Sequence, residues 1–203
     1  SNEIFFISQI IDNKNQNFLV DDKYISWSDF FKVENLLFQI LIKQKFFKNK
    51  KLIILSRYRE FNKIEFDFYD NIFNKKEIAW DFKIINKIEN VYKFCLSKRY
   101  FISIDSTLGY ELLSRNKKVF FISSRVNVKR SSRSFGWPYN FNNTGYFWSN
   151  LNKKNSKNLS KNINNYFYKE KIFDTKFIHK NLMNYDKKNI EISKQLNLLG
   201  LKL

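Results

Sequence analysis

The fold is decided by residues 100–123, which read YFISIDSTLGYELLSRNKKVFFIS. Two short apolar runs, Tyr100–Ile104 and Lys118–Ile122, have the composition of strands that are buried on both faces. Leucines recur at helical spacing between them, and Arg115 and Asn116 suit a helix C-terminus. Two strands joined by a short helix form a right-handed βαβ unit, so the sequence predicts a parallel sheet.

The turn that enters this helix holds the densest cluster of candidate ligand groups, Asp105-Ser106-Thr107-Leu108-Gly109. It follows the carboxyl end of a strand, where open parallel sheets bind ligands. Backbone N–H groups at the helix N-terminus, together with the hydroxyls of Ser106 and Thr107, can hold a phosphate. Gly109 would let a ligand or a neighbouring backbone approach the first turn. The alternative is that Asp105, Ser106 or Thr107 only caps the helix.

A carboxylate follows at helical spacing, because Glu111 lies four residues after Thr107 and therefore on the same helix face, about 6 Å further along. A carboxylate at that offset can accept hydrogen bonds from the two hydroxyls of a ribose while the turn holds the phosphate. The alternative is that Glu111 is simply solvated.

The rest of the chain alternates strands with helices. We predict strands over Glu3–Ile11, Lys51–Leu55 and Glu77–Phe82, and helices over Asp29–Phe47, Glu60–Phe73, Ile88–Arg99, Leu159–Tyr168 and Lys187–Leu199. Asp12–Ser26 is polar and is predicted to be a long surface loop. The alternation is that of a doubly wound α/β domain. We expect one domain over residues 1–203, with the core in 1–123, a loop in 124–150 and C-terminal helices in 151–203.

A second group of ligand candidates follows the strand at Lys51–Leu55, which delivers Ser56 and Arg57 to the same edge of the sheet. Arg57 and Arg59 are the strongest basic candidates for a pyrophosphate or a carboxylate, because a guanidinium group binds these anions through two hydrogen bonds. The alternative is a solvated basic turn.

Residues 124–150 are too long to be an idle connector in a compact domain. Arg133 supplies charge and Trp137 supplies a flat apolar surface, so this loop can close over a nucleotide or stack on a sugar ring. The same composition suits single-stranded nucleic acid. The structural alternative is that the aromatic side chains pack in the core, with Phe147 and Trp148 as the first candidates.

The formal net charge of +18 favours anionic partners such as nucleic acids, membrane surfaces, phosphates and acidic glycans. The lysines are scattered along the chain beside many Asn, Ile, Phe and Tyr residues, as in proteins encoded by AT-rich codons, so the charge does not choose among these partners. Cys95 cannot form an internal disulfide and is predicted to be a buried hydrophobic residue in a reducing compartment. His179, the only histidine, has no neighbours at metal-ligand spacing, so no metal is expected.

The segment FISIDSTLGYE at residues 101–111, with KKVFF, FGWP and GYFW after it, resembles the donor-binding C-terminal domain of bacterial surface-carbohydrate glycosyltransferases of the GT-B class. These are related to the capsule and lipopolysaccharide β-Kdo transferases. The resemblance implies a Rossmann-like domain in which Ser106 and Thr107 hold the phosphate of a nucleotide sugar and Glu111 holds its ribose. Ser56 and Arg57 would lie beside them. It implies no cofactor, since the nucleotide sugar, with a CMP-linked donor among the options, is a substrate.

The chain departs from the GT-B pattern in length, since it has residues for only one of the two domains. The resemblance therefore implies one half of a GT-B architecture, with an N-terminal acceptor domain or partner subunit elsewhere, and assigns no catalytic residue. The expected acceptor is a glycan or a lipid-linked glycan. The sequence has no signal-peptide pattern, so we expect a cytoplasmic location at the inner face of the membrane, with peripheral contact to anionic lipid.

Two other functions stay open at this level. The first is a non-enzymatic nucleic-acid-binding domain that uses the basic and aromatic loop at 124–150, whereas the transferase interpretation predicts no specific nucleic-acid partner. The second is a degenerate domain that serves as a scaffold and binds no small ligand.

Overall fold

The computed structural model describes residues 2–10, 17–20, 23–74, 76, 78–104, 106–122, 144–151 and 153–168. In chain order, its elements are β1 (Glu3–Ile7), β2 (Asn17–Val20), β3 (Lys23–Ser26), α1 (Trp27–Lys43), β4 (Lys51–Leu55), α2 (Lys63–Phe73), β5 (Trp80–Lys83), α3 (Ile88–Leu96), β6 (Tyr100–Ser103), α4 (Thr107–Ser114), β7 (Lys118–Ile122), β8 (Trp148–Ser149), α5 (Lys153–Ser156) and α6 (Leu159–Tyr168).

Six of these strands form one sheet in the order β5-β4-β1-β6-β7-β8, and every neighbouring pair is parallel. Counted by their order in the chain, the strands lie as 3-2-1-4-5-6, which is the order of the Rossmann fold. The predicted parallel sheet and the α/β class are confirmed. Central strands such as β1 are apolar at almost every position because helices cover both faces of the sheet.

Alternate residues of β1 show which helices cover which face. The ring of Phe6 packs against Phe38 of α1 with centroids 4.8 Å apart, whereas the ring of Phe5 packs against Phe94 of α3 at 5.6 Å. Successive side chains of a strand point to opposite faces. The helices α1 and α2 therefore lie on one face and α3 lies on the other, with α4 beside it.

The helix α6 is held at both ends by side chains from elsewhere in the fold. Gln44 Oε1 accepts a hydrogen bond from the backbone N–H of Ser160 in the first turn, at 2.8 Å. Lys118 Nζ donates to the carbonyl oxygens of Phe167 and Tyr166 at the last turn, at 2.7 and 3.2 Å. A cation at a helix C-terminus also interacts favourably with the helix dipole.

Three predictions about elements need correction. The loop predicted over Asp12–Ser26 contains an antiparallel hairpin of β2 and β3, whose strands are separated by only two residues, a spacing typical of tight hairpins. The segment predicted as a loop over 124–150 ends in the sixth strand, β8. The helix predicted over Ile88–Arg99 ends at Leu96, and Leu96 is 41% exposed.

Other predictions agree with the structure. Phe147 and Trp148 are buried against β7, so their packing in the core is confirmed. Cys95 is buried as predicted, and burial raises the pKa of its thiol to about 12, which leaves it unreactive. Asn116 adopts a left-handed conformation (φ 61°) just after α4 ends. The helix predicted over Lys187–Leu199 lies outside the described residues. No helix in the described part of the chain is long and apolar enough to cross a membrane.

Gly109 lets α4 pack closely on the sheet. A Cβ atom at this position would lie 2.7 Å from Ser103 Oγ, 2.9 Å from Ser103 Cβ and 3.2 Å from Phe121 Cε1. Ser103 Cβ is fixed by the backbone of β6 and cannot move aside. The close neighbours that Gly109 accommodates are therefore the side chains of Ser103 and Phe121 in the sheet.

The Gly109→Ala substitution should lower the free energy of unfolding by about 1–2 kcal/mol, because overpacking at this contact costs about 2–3 kcal/mol and the gain in helix propensity is only about 1 kcal/mol. Urea unfolding followed by circular dichroism measures the change. The control is Asn71→Ala at an exposed position of α2, which should be neutral or slightly stabilising. A Gly109→Ala variant as stable as the parent chain would contradict the packing argument.

Candidate functional site

The strand order of the sheet reverses between β1 and β6. The chain leaves β1 toward β4 on one side, and it leaves β6 toward β7 on the other. Loops that follow two such strands diverge and leave a crevice at the carboxyl edge, which is where open α/β sheets bind ligands. The chain segments that follow β1 and β6 begin at Ser8 and Ile104, at this edge of the sheet.

The turn between β6 and α4 is organised by a buried hydroxyl. Ser103 is fully buried, and its Oγ accepts a hydrogen bond from the backbone N–H of Ser106 at 3.2 Å. Ser106 is the N-cap residue, with an extended backbone (φ −86°, ψ 133°), but its side chain makes no capping hydrogen bond. The side chain of Ser106 therefore does not cap the helix, whereas Asp105, another candidate for the cap, lies outside the described residues. Ser106 is half-exposed beside an exposed Thr107.

The first turn of α4 has open hydrogen-bond donors. Gly109 and Tyr110 donate their backbone N–H groups to the carbonyl of Ser106, at 2.9 and 3.3 Å. No described residue accepts a hydrogen bond from the N–H groups of Thr107 and Leu108. The first turn contains no acidic side chain. Two open donors at the positive end of a helix dipole can bind an anion.

Glu111 lies one turn further along α4 and is half-buried. The phenol of Tyr92 on α3 donates a hydrogen bond to Glu111 Oε2. The pKa of Tyr92 is raised mainly by this hydrogen bond and, to a smaller extent, by partial burial. The carboxylate is thus held on one oxygen by a neighbouring helix, with the other oxygen remaining as an acceptor.

The residues after β4 are organised around a carboxylate that sequence analysis missed. Glu65 is 0% exposed; its Oε2 accepts from Ser56 Oγ at 2.5 Å, and its Oε1 accepts from the backbone N–H of Arg57 at 3.0 Å. Ser56 Oγ in turn accepts from the backbone N–H of Tyr58 at 3.0 Å. The hydroxyl of Ser56 therefore holds the turn together. Arg57 Nη1 reaches the carbonyl oxygen of Gln9, at 3.5 Å, and brings a positive charge to the end of β1.

A second buried carboxylate extends this network across the helices. Glu34 of α1 is 1% exposed; its Oε2 accepts from Tyr69 Oη of α2 at 2.6 Å, and its Oε1 accepts from the backbone N–H of Gln9 at 3.3 Å. Tyr69 Oη also lies 2.8 Å from Ser8 Oγ. The pKa of Tyr69 is raised well above its ordinary value, mainly by burial and, to a smaller extent, by the negative charge of Glu34.

Two signals in the sequence could have revealed these carboxylates. Glu34 occupies the apolar face of α1, three residues after Phe31 and four before Phe38, where a charged side chain must have partners. Glu65 follows Asn62 at the spacing of a capping box. Asn62 Oδ1 does accept from the backbone N–H of Glu65, at 2.9 Å, but the carboxylate turns away to Ser56 and Arg57.

Two of the open grooves on the described part of the chain bear on the position of the site. One of about 480 Å³ follows β5 at the same edge of the sheet and is lined by Lys83, Ile84, Ile85, Asn86, Lys87, Asn90 and Phe94. A larger one of about 950 Å³ lies between the outer surfaces of α1 and α2. The larger groove is remote from the turn at Ser106, so groove size alone does not identify the site.

Three candidate residues, Asp105, Arg133 and Trp137, lie outside the described residues. The structure brings Ser106, Thr107, Gly109 and Glu111 together on the first turns of α4. It brings Ser56 and Arg57 to the end of β4, which is separated from β6 by β1. Their proposed contacts with a ligand stay predictions. Within the described ranges, no group of three or more His, Cys, Asp or Glu side chains could hold a metal ion.

The comparison with protein families gave a match over residues 1–199 to the family described as "putative O-antigen biosynthesis protein". The chain belongs to this family. Membership in this family associates the chain with the production of a bacterial surface carbohydrate. This agrees with the role in surface-carbohydrate synthesis that the resemblance implies. Neither the curated proteins nor the solved structures that were compared with the chain gave a match.

The buried carboxylate of Glu65 should make the stability of the chain depend on pH. Burial raises its pKa above the ordinary value of 4.5, against the opposing effects of hydrogen bonds from Arg57, Ser56 and Ser8 and of the Arg57 charge. The folded state therefore binds the proton more tightly than the unfolded chain. The resulting stabilisation is complete below about pH 4.5 and is lost as the pH rises through the raised pKa.

The Glu65→Gln substitution removes this titration. The free energy of unfolding of the parent chain, relative to the variant, should fall as the pH rises from about 4 to about 8. Urea unfolding at a series of pH values measures the difference, with the exposed Glu60→Gln as the control. A difference that stays constant or grows over this range would contradict the assignment.

Proposed function

We propose that this chain is the nucleotide-sugar donor-binding domain of a glycosyltransferase that builds a bacterial surface polysaccharide. The observation that carries the proposal is the open N-terminus of α4 at the point where the strand order reverses, in a chain of an O-antigen biosynthesis family. Building a surface polysaccharide from activated sugars requires enzymes that bind a sugar linked to a nucleotide, and such a donor carries one or two phosphates.

The phosphate would bind at the first turn of α4. The N–H groups of Thr107 and Leu108, the hydroxyl of Ser106 and the exposed hydroxyl of Thr107 are the donors available to it. Backbone donors are preorganised by the helix, so they lose little freedom when the anion arrives. Charge-assisted hydrogen bonds of this kind are stronger than those between neutral groups.

The ribose and the base would extend from this point in two directions. Glu111 lies one turn beyond Thr107 and offers a carboxylate to the ribose hydroxyls. The groove of about 480 Å³ after β5 is large enough for part of a nucleotide, and the amide side chains of Asn86 and Asn90 with the ring of Phe94 line it. Amide groups can pair with the polar edge of a base, and an aromatic ring can contact its flat face.

Arg57 is the cation best suited to the leaving phosphate. Its guanidinium group reaches across from the end of β4 to the carbonyl of Gln9 beside the crevice. When the sugar is transferred, negative charge grows on the nucleotide phosphate, and a fixed cation stabilises that charge. This mechanism uses the chain's own donors and needs no metal. The proposal assigns no catalytic base to this chain.

We further propose that the chain is one half of a GT-B architecture, with the acceptor side supplied by an N-terminal domain or a partner subunit. A sugar acceptor, either a glycan or a lipid-linked glycan, would then approach the crevice from outside the chain. The positive charge of +18 favours contact with an anionic membrane where such an acceptor is anchored.

Isothermal titration with CMP-, UDP- and GDP-linked sugars tests the proposal. One class of donor should bind, and the double variant Ser106→Ala with Glu111→Ala should weaken it by at least about tenfold, since it removes hydrogen bonds from both the phosphate and the ribose. The matched control is Ser97→Ala, which removes an exposed hydroxyl after α3 at the opposite edge of the sheet and should leave binding unchanged.

Two outcomes would contradict the proposal. The first is that no donor binds at high micromolar concentration. The second is that a donor binds equally well to the double variant. Tight binding of single-stranded DNA with a log-log salt slope of about −0.7 for each phosphate, without affinity for any nucleotide sugar, would instead support the nucleic-acid-binding alternative.

A further inference from the structure

The helices α3 and α4 meet through one polar contact beside the proposed nucleotide site. Tyr92 of α3 donates its phenolic proton to Glu111 Oε2 of α4, and both side chains are half-buried. The guanidinium carbon of Arg115, one turn after Glu111, lies 4.9 Å from the centre of the Tyr92 ring. The phenol is therefore held between a cation on its ring and a carboxylate at its hydroxyl.

This contact limits the orientations of Glu111. A glutamate on a helix surface has three rotatable bonds and samples many rotamers, which a ligand must restrict when it binds. The hydrogen bond from Tyr92 fixes one carboxylate oxygen in advance. Stacking of Arg115 on the ring keeps the phenol itself in place. The other carboxylate oxygen then has a defined direction for a ligand.

A carboxylate held in this way is suited to a vicinal diol. An ionised carboxylate only accepts hydrogen bonds, and the two adjacent hydroxyls of a ribose can both donate to it. A 2′-deoxyribose offers one hydroxyl at this position, so part of the carboxylate would lose its hydration without gaining a partner. Such a site distinguishes ribonucleotides from deoxyribonucleotides.

We infer that Tyr92 is a positioning residue that holds Glu111 toward the ribose diol and so makes the site selective for ribonucleotide-linked donors. The inference rests on the proposed function, because it needs Glu111 to face a bound nucleotide. The hydrogen bond to Glu111, more than burial, also raises the pKa of Tyr92, so the phenol keeps its proton and remains a donor at neutral pH.

The experiment compares affinities for paired ribo- and 2′-deoxy-nucleotides: CMP with dCMP, UDP with dUDP, and GDP with dGDP. In the pair that binds most tightly, the parent chain should prefer the ribonucleotide by about tenfold. Tyr92→Phe should reduce that preference by about threefold to tenfold while leaving the affinity for the deoxynucleotide unchanged. Glu111→Ala should remove the preference.

The control is Tyr168→Phe, which removes the hydroxyl of a tyrosine that is 45% exposed and packs beside Tyr100, and it should change neither affinity. A second measurement needs no ligand. The pKa of Tyr92, followed by NMR of the ring carbon that carries the hydroxyl, should fall in Glu111→Gln, because the neutral amide no longer opposes loss of the phenolic proton.

The outcomes separate this inference from the proposed function. Binding with a ribose preference that survives Tyr92→Phe overturns the inference alone. An equal loss of affinity for both members of a pair overturns it too, since Tyr92 would then only maintain the shape of the site. If the parent chain binds none of the six nucleotides, the proposed function and the inference fall together.

Discussion

The parallel pairing of β1 with both β4 and β6 is the constraint on which the rest of the structure depends. Phe6 of β1 pairs in register with Ile54 on one side and Ile102 on the other, and all three side chains are fully buried. From β1 the chain adds β4 and β5 on one side of the sheet, and it then adds β6, β7 and β8 on the other side. The helix α3 therefore carries the chain from the edge strand β5 back to β6 across the other face. This return brings α3 beside α4 and opens the crevice.

Polar groups on the two sides of the carboxyl edge differ in whether they have hydrogen-bond partners within the described part of the chain. On the side of β4, Glu65 and Glu34 are buried, and hydrogen bonds from other parts of the chain satisfy them. Buried carboxylates are costly without such partners. On the side of β6, the N–H groups of Thr107 and Leu108 have no described acceptor. This asymmetry favours α4 over the end of β4 as the proposed place for an external anion. The network around Glu65 holds the backbone of Arg57.

The sequence predicted the elements whose signal is local. The strands β4, β6 and β7 and the helix α6 follow directly from apolar runs and helical periodicity. Two of the failures are local, namely the hairpin of β2 and β3 and the end of α3. The missed buried contacts involve partners that are distant in the chain. Tyr69 meets Ser8 across 61 residues, and Gln9 meets Glu34 across 25, so no local pattern reveals their contacts. Trp148 reads as part of a loop because a strand of two residues is recognisable only when β7 lies beside it.

The most direct test of the central claim is a two-dimensional ¹H–¹⁵N NMR titration of the chain with each of the CMP-, UDP- and GDP-linked sugars. We expect the amide signals of Thr107 and Leu108 to shift most, because their N–H groups would donate to the phosphate. Smaller shifts should extend to Glu111 along the same helix. Shifts concentrated at Asn35 and Asn71, in the groove between α1 and α2, with none in the first turn of α4, would contradict it.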